Sequence, residues 1–171
     1  MAELNTPLTL GELQLKNRVV MAPLTRSRAT TDRVPTAMMA EYYAQRASAG
    51  LIIAEATVIS EEANGYLNTP GLFNQAQVEG WKLVTDAVHA KGGLIVSQLW
   101  HVGRVSHPDL LDGATPVSAS AVQQAGYVSL LRPKREYVVP RPLEIAEIHS
   151  ITAQYKQAAI YAKEAGFDGV E

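Results

Sequence analysis

Short apolar runs alternate with amphipathic stretches along the chain. Four runs predict buried strands, and they cover residues 19–24, 51–59, 94–100 and 167–171. Between the runs, apolar residues recur every three to four positions, as they do in helices that pack on a sheet. This spacing predicts three helices, which lie between Pro35 and Gly50, between Asn74 and Gly92, and between Ile148 and Gly166.

Strands that alternate with helices indicate a parallel α/β sheet with right-handed crossovers. A closed barrel and an open doubly wound sheet both fit this order. A dinucleotide-binding sheet would carry a glycine-rich turn after its first strand, whereas this chain has Ala22–Arg26 there. The barrel is therefore favoured. A complete (β/α)8 TIM barrel takes about 250 residues, so the 171 residues hold about half of one.

Two segments lie outside the α/β alternation. Residues 6–18 form two short alternating pieces around a glycine, which predicts a capping hairpin. Residues 101–143, between the third strand and the third helix, contain five prolines and no helical period, which is typical of a lid-like insertion. Within it, residues 127–131 and 136–139 predict a β-hairpin arm. Asn74 and Gln77 predict a capping box at the start of the second helix.

Composition narrows the class of protein. The chain is 47% hydrophobic and 19% charged with a formal net charge of -2, which fits a soluble globular domain and disfavours a nucleic-acid partner. It has no cysteine, which excludes disulfides and thiolate chemistry and fits a reducing compartment. With no signal pattern at the N-terminus and no apolar run long enough to span a membrane, we expect a cytoplasmic protein without a membrane partner.

Candidate chemistry lies at the carboxyl ends of the predicted strands, where parallel α/β folds place reactive groups. The first strand leads to Thr25, the second passes through the small Ala56, and the third offers Gln98 beside Trp100 and His101. These residues provide hydrogen-bonding groups and aromatic surface, without a nucleophile paired to a base. A planar heteroaromatic ligand suits them best. Alternatively, Gln98 satisfies buried backbone groups.

The remaining polar residues have simpler interpretations. His101 and His107 lack the spacing of a metal site, so no metal is expected and His101 is interpreted as orienting its loop. Glu41 and Glu55 lie on a helix and a buried strand. We expect each to form a structural ion pair with one of three arginines, namely Arg18, Arg28 or Arg46.

Six blocks follow one another along nearly the whole chain: Val20–Arg26, Met39–Ala47, Gly50–Ala56, Gln98–Arg104, Pro116–Ser120 and Glu164–Asp168. Together they resemble the old yellow enzyme family, and most closely its bacterial N-ethylmaleimide reductase and xenobiotic reductase branch. The resemblance implies a TIM barrel that binds flavin mononucleotide (FMN). It also implies reduction of activated C=C bonds, with NADPH or NADH as the reductant.

The resemblance also implies roles for single residues. Pro23, Leu24 and Thr25 would contact the flavin, with the Thr25 hydroxyl near the ring carbonyl beside N5, where it would tune the redox potential. Ala56 would give the ring a backbone contact, and Gln98 would bind its pyrimidine edge.

The substrate site implied by the resemblance comprises Thr25, Tyr66, Trp100 and Arg141. The family's histidine pair and proton-donating tyrosine correspond to positions after Glu171, so no catalytic residue is expected within this chain. We therefore expect an ene-reductase that acts on enones, maleimides and related electrophiles only when a complementary C-terminal half completes the barrel. The alternative is an inactive half-barrel scaffold that self-associates through its open strand edges.

Overall fold

The computed structural model describes residues 3–171. Its strands are β1 (Leu8–Leu10), β2 (Leu13–Leu15), β3 (Val20–Met21), β4 (Leu51–Ile53), β5 (Thr57–Val58), β6 (Ile95–Ser97), β7 (Leu99–Trp100), β8 (Val117–Ser118), β9 (Arg141–Pro142) and β10 (Gly169–Val170). Its helices are α1 (Ala37–Ala44), α2 (Gln75–His89) and α3 (Ile145–Glu164), and Pro108–Leu110 forms a single 3-10 turn. No helix among these residues is long and apolar enough to cross a membrane.

The main sheet contains four parallel strands in the spatial order β3, β4, β6, β10. These are the four predicted strands, and each lies beside its neighbour in chain order. A doubly wound sheet would reverse its order at a switch point. The unbroken order is instead that of a barrel wall, in which each strand adds to the same side.

Two of the predicted strands are not continuous. The second divides into β4 and β5, and the third divides into β6 and β7 at Gln98. The backbone N–H of Glu55, between β4 and β5, donates to the hydroxyl of Tyr43 at 2.8 Å instead of to a neighbouring strand. Pairing resumes where the N–H of Thr57 donates to the carbonyl of Gln98. The prediction of unbroken strands is therefore wrong at these two places.

The core lies between the sheet and the helices. Trp81 is fully buried at its centre, and its indole N–H donates to the Gly71 carbonyl at 3.1 Å. Its ring contacts Phe167 and Tyr43, with ring centroids 5.0 Å and 6.4 Å away. The predicted apolar face of α2 is confirmed, since Val78, Trp81, Val84 and Val88 are all buried.

Helix α1 ends earlier than predicted. The regular helix stops at Ala44, and the next residues form turns in which N–H groups bond carbonyls three positions back. These turns lead to Gly50, where a Cβ atom would lie 2.0 Å from the Asn17 carbonyl oxygen. The close approach of the two backbones excludes a larger residue there, so the chain leaves the helix before it reaches Gly50.

The hairpin and the insertion each have their own packing. Strands β1 and β2 pair antiparallel, and their leucines pack against Leu51 and Val96 near the start of the main sheet. In the insertion, β8 pairs with β9, and four side chains form a small core: Leu110, Val128, Leu131 and Tyr137. A lid role for the insertion stays a prediction.

The predicted β-hairpin arm is reduced to one antiparallel bridge between Tyr127 and Glu136. Leu130 has a φ of 65°, so the chain turns there instead of continuing as a strand. The prediction of paired strands over 127–131 and 136–139 is therefore wrong.

Helix α2 begins at a side-chain cap. The Asn74 side chain accepts the N–H of Gln77 at 3.0 Å, whereas the side-chain amide oxygen of Gln77 accepts the N–H of Phe73 at 2.9 Å. A reciprocal capping box would need the N–H of Asn74 itself, so the prediction is correct for Asn74 and wrong for Gln77.

Replacing Asn74 with alanine is expected to lower the free energy of unfolding by about 1 kcal/mol, because the N–H of Gln77 loses its acceptor. Chemical denaturation followed by circular dichroism measures the change. Asn74→Ser is the matched control, since serine also caps helices, and it should retain most of the stability. Equal losses in the two variants would show that the cap contributes nothing.

Candidate functional site

The carboxyl ends of β3, β4 and β6 lie side by side because the strands are parallel neighbours. The loop after β3 carries Thr25, which is exposed. Ala56 lies between β4 and β5 and is 3% exposed. Gln98 follows β6 and is half-buried. Three of the sequence-predicted residues are thus brought to one end of the sheet.

Gln98 presents its side chain at this end. Its amide nitrogen donates to a carboxylate oxygen of Glu171 at 3.1 Å. The backbone N–H of Glu171 in turn donates to the Ser97 carbonyl at 2.8 Å. The alternative interpretation required the Gln98 side chain to bond buried backbone groups. Among the described residues, its side-chain amide forms no hydrogen bond to a backbone group. A primary amide beside a strand end both donates and accepts, so it suits a ring edge with nitrogen and carbonyl groups.

Tyr66 and Trp100 form an aromatic wall next to this end of the sheet. Their rings stack with centroids 5.4 Å apart and planes inclined by 23°. The Trp100 indole nitrogen is buried and has no hydrogen-bond partner in the described chain. A buried N–H without an acceptor is costly. The two residues predicted to line a substrate pocket are therefore in contact.

Arg141 has a different environment. Its guanidinium bonds both carboxylate oxygens of Glu147, at 2.7 Å and 2.8 Å, in the first turn of α3. This pairing ties β9 to α3 and occupies the side chain. The arginine holds the pKa of Glu147 down to about 2. Its predicted place at a pocket rim stays a prediction.

Replacing Arg141 with glutamine should raise the pKa of Glu147 from about 2 toward its ordinary value of 4.5, because the paired cation is lost. A lowered pKa favours the folded state above pH 4.5, and that contribution disappears as the pH falls toward 2. Carbon NMR of the carboxyl group measures the titration.

Arg104→Gln is the control for this titration. Its guanidinium bonds Ser118, Ser120 and the Val122 carbonyl, so it should leave the Glu147 pKa unchanged. A Glu147 pKa that stays near 2 in Arg141→Gln would contradict the pairing.

The predicted ion pair of Glu55 with an arginine side chain is wrong. One carboxylate oxygen accepts the N–H groups of Arg26 at 2.9 Å and Ser27 at 3.1 Å, and the other accepts the Tyr43 hydroxyl at 3.2 Å. Burial raises the pKa of Glu55, against the lowering effect of these hydrogen bonds. The sequence pattern did not single out Tyr43 as the partner of Glu55. The sequence feature that indicates such a partner is the single acidic residue within the apolar run 51–59, because a buried carboxylate needs hydrogen-bond donors.

The structure also tests the interpretations of Glu41 and His101. Glu41 is exposed and accepts a hydrogen bond from Gln45 at 3.1 Å, so its predicted ion pair is absent from the described residues. His101 orients its loop, as expected, because its Nδ1 accepts the N–H of Gly103 at 3.0 Å. Burial lowers the pKa of His101, which favours the neutral ring.

Comparison with known proteins places the chain in a family. A model of the NADH:flavin oxidoreductase / NADH oxidase family matches residues 3–171. The chain belongs to this family. The old yellow enzyme resemblance is therefore confirmed, and with it membership in a group of FMN-dependent oxidoreductases.

Relatives of the old yellow enzyme type match almost the whole chain. Flavin oxidoreductase hxnT of Emericella nidulans is 48% identical over 97% of this chain and 44% of its own length. The solved old yellow enzyme homologue from Zymomonas mobilis superposes with a TM-score of 0.95 at 51% identity, covering 99% of this chain and 47% of that one. Morphinone reductase in complex with tetrahydroNAD gives a TM-score of 0.93 at 53% identity, over 99% and 48%.

The chain spans about half the length of the old yellow enzyme relatives it matches. Within this chain, the main sheet has four parallel strands whose spatial order follows the chain order. The predicted parallel α/β architecture of half a barrel is thus confirmed. The finer resemblance to the N-ethylmaleimide and xenobiotic reductase branch stays a prediction.

Proposed function

We propose that this chain is the flavin-holding half of an ene-reductase that uses NADPH or NADH. Its substrates would be activated alkenes such as enones and maleimides. The observation that carries the proposal is the gathering of Thr25, Ala56 and Gln98 at one end of three adjacent strands, in a chain of the FMN-dependent family. The bound flavin would accept hydride from the nicotinamide and deliver it from N5 to the alkene.

The residues present fit a flavin by their chemistry. Pro23, Leu24 and Thr25 form the loop that would contact the ring, and the exposed Thr25 hydroxyl is free to bond a ring atom. Ala56 places no bulk against the ring face, and the Gln98 amide matches the donors and acceptors of the pyrimidine edge. These five residues would bind and orient the cofactor without taking part in proton transfer.

Substrate binding would use the aromatic wall. The stacked rings of Tyr66 and Trp100 provide a flat apolar surface for an alkene. Thr25 would line the same space from the flavin side, with Arg141 at the rim. Positioning the alkene against the hydride donor is the main contribution such a wall makes to rate.

Completion of the barrel is part of the proposal. The outer strands of the described sheet, β3 and β10, each have one unpaired edge, with Val20 46% and Val170 48% exposed. A groove of about 640 Å³ runs beside β3, lined by Val19, Met21, Leu24 and Tyr42 among others. A segment that supplies the second half of the relatives' length would cover both edges and bring the proton donor.

The second candidate is a scaffold that self-associates. The same open edges favour it, because unpaired parallel strands pair readily with another copy. The two candidates differ in what covers the edges: a complementary half in the enzyme, and an identical chain in the scaffold.

One experiment separates these candidates. The chain is purified alone and also co-expressed with the C-terminal half of the Zymomonas mobilis homologue, and light scattering and the visible absorption spectrum are recorded for both. The proposal predicts a one-to-one complex with a flavin spectrum. Homo-oligomers without flavin in both preparations would establish the scaffold and overturn the enzyme.

A further inference from the structure

Glu55 is a buried carboxylate at the proposed flavin site, and the family assignment leaves it without a role. It is 0% exposed and lies between β4 and Ala56. One of its oxygens accepts two consecutive backbone N–H groups, those of Arg26 and Ser27. Among the described residues, no cation lies within ion-pair distance of it.

The turn that Glu55 holds carries Thr25. From residue 23 to residue 28, the only backbone N–H groups with hydrogen bonds in the described chain are the two that Glu55 accepts. Ser27 has a φ of 53°, in the left-handed region. This conformation lets consecutive N–H groups converge on one anion, as in a backbone nest. The Glu55 carboxylate therefore occupies this nest, where a separate anion would otherwise bind.

Tyr43 fixes the carboxylate from the other side. It is 1% exposed, and its hydroxyl donates to the second Glu55 oxygen while accepting the Glu55 backbone N–H. The turn after β3, the end of β4 and α1 are thereby connected through one hydrogen-bonded group. Such a network is stiff because every member has a partner.

We propose that Glu55, oriented by Tyr43, is a positioning residue that holds the Thr25 turn where Thr25 contacts the flavin; this rests on the proposed function. This role accounts for the presence of a carboxylate in an apolar strand. In its ionised form, Glu55 strengthens both hydrogen bonds to the turn, since charge-assisted bonds are about twice as strong as neutral ones.

The first test needs no flavin. Glu55→Gln keeps the volume and loses the charge, and Tyr43→Phe keeps the ring and releases the second oxygen. Amide hydrogen exchange of the 171-residue chain should become roughly tenfold faster at Arg26 and Ser27 in Glu55→Gln. The N–H of Ile52, bonded to the Leu94 carbonyl, should keep its rate.

The exposed Glu41 provides the matched control, because Glu41→Gln changes the same chemical group outside the network. Unchanged exchange at Arg26 and Ser27 in both Glu55→Gln and Tyr43→Phe would overturn the positioning role. Equal acceleration at Ile52 would also overturn it, since general loosening of the fold differs from release of one turn.

The second test concerns the cofactor in the protein completed by the C-terminal half of the Zymomonas mobilis homologue. Glu55→Gln should weaken FMN binding about tenfold, as measured by quenching of flavin fluorescence, and should shift the flavin absorption bands. Wild-type affinity and spectrum in this variant would overturn the proposal. If the unsubstituted protein binds no FMN, the proposed function fails, whereas the exchange experiment still decides whether Glu55 holds the turn.

Discussion

Replacing Trp81 with alanine is expected to lower the free energy of unfolding by about 3–5 kcal/mol. The side chain is 0% exposed, and its ring packs against Tyr43 and Phe167 at the centre of the core. Its loss would leave a cavity and remove the hydrogen bond to the Gly71 carbonyl. Urea denaturation followed by circular dichroism measures the change.

Leu83→Ala is the control for this measurement. Leu83 lies two positions further along α2 and is 57% exposed, so its truncation should change stability by no more than about 0.5 kcal/mol. A Trp81→Ala protein as stable as Leu83→Ala would contradict the described core.

Replacing Gln98 with leucine is expected to weaken FMN binding by about 10- to 100-fold in the completed protein. The proposed ring edge would face an apolar side chain, and each polar group left unsatisfied costs about 1–3 kcal/mol. Leucine has a similar size, so the strand end should keep its shape. Fluorescence titration with FMN gives the dissociation constant, and circular dichroism verifies the fold.

Gln14→Leu is the matched control, since it makes the same substitution at an exposed position of the hairpin, at the opposite end of the strands. It should bind FMN with the unsubstituted affinity. Equal affinities of Gln98→Leu and Gln14→Leu would remove Gln98 from the proposed cofactor site.

The spacing of apolar residues was sufficient to predict the elements whose apolar faces are covered by other elements of the chain. Helix α2 follows its predicted face because Val78, Trp81 and Val84 are buried in one apolar cluster with the strand residues Ile52 and Ile95. The strand order follows from alternation together with the missing glycine-rich turn. These features depend on local pattern and on general topology rules, so one sequence is enough to predict them.

The role of Glu55 could not be predicted in this way. The sequence indicates that a buried acid needs a partner, and the predicted partner was an arginine. The structure instead supplies two backbone N–H groups and a tyrosine hydroxyl. Backbone donors are present at every residue, so only the tertiary arrangement shows which ones reach a carboxylate.

Helix α3 shows a second limit of pattern reasoning. Its spacing predicts a packed face that begins at Ile148, and Ala158 and Ala162 are indeed buried, whereas Ile148 is 49% exposed. The helix begins earlier than predicted, at Ile145, which is 73% exposed. A pattern indicates that a face is apolar without indicating what covers it. In the proposed enzyme, the second half of the barrel would cover these isoleucines.

The most direct test of the account is NADPH-dependent consumption of an enone. The assay uses this chain fused to the C-terminal half of the Zymomonas mobilis homologue, with 2-cyclohexenone as the alkene. The expected result is a yellow protein whose flavin is bleached by NADPH and regains its colour when the enone is added, with turnover. A folded fusion that binds no flavin, or binds it without any reduction of the enone, would contradict the account.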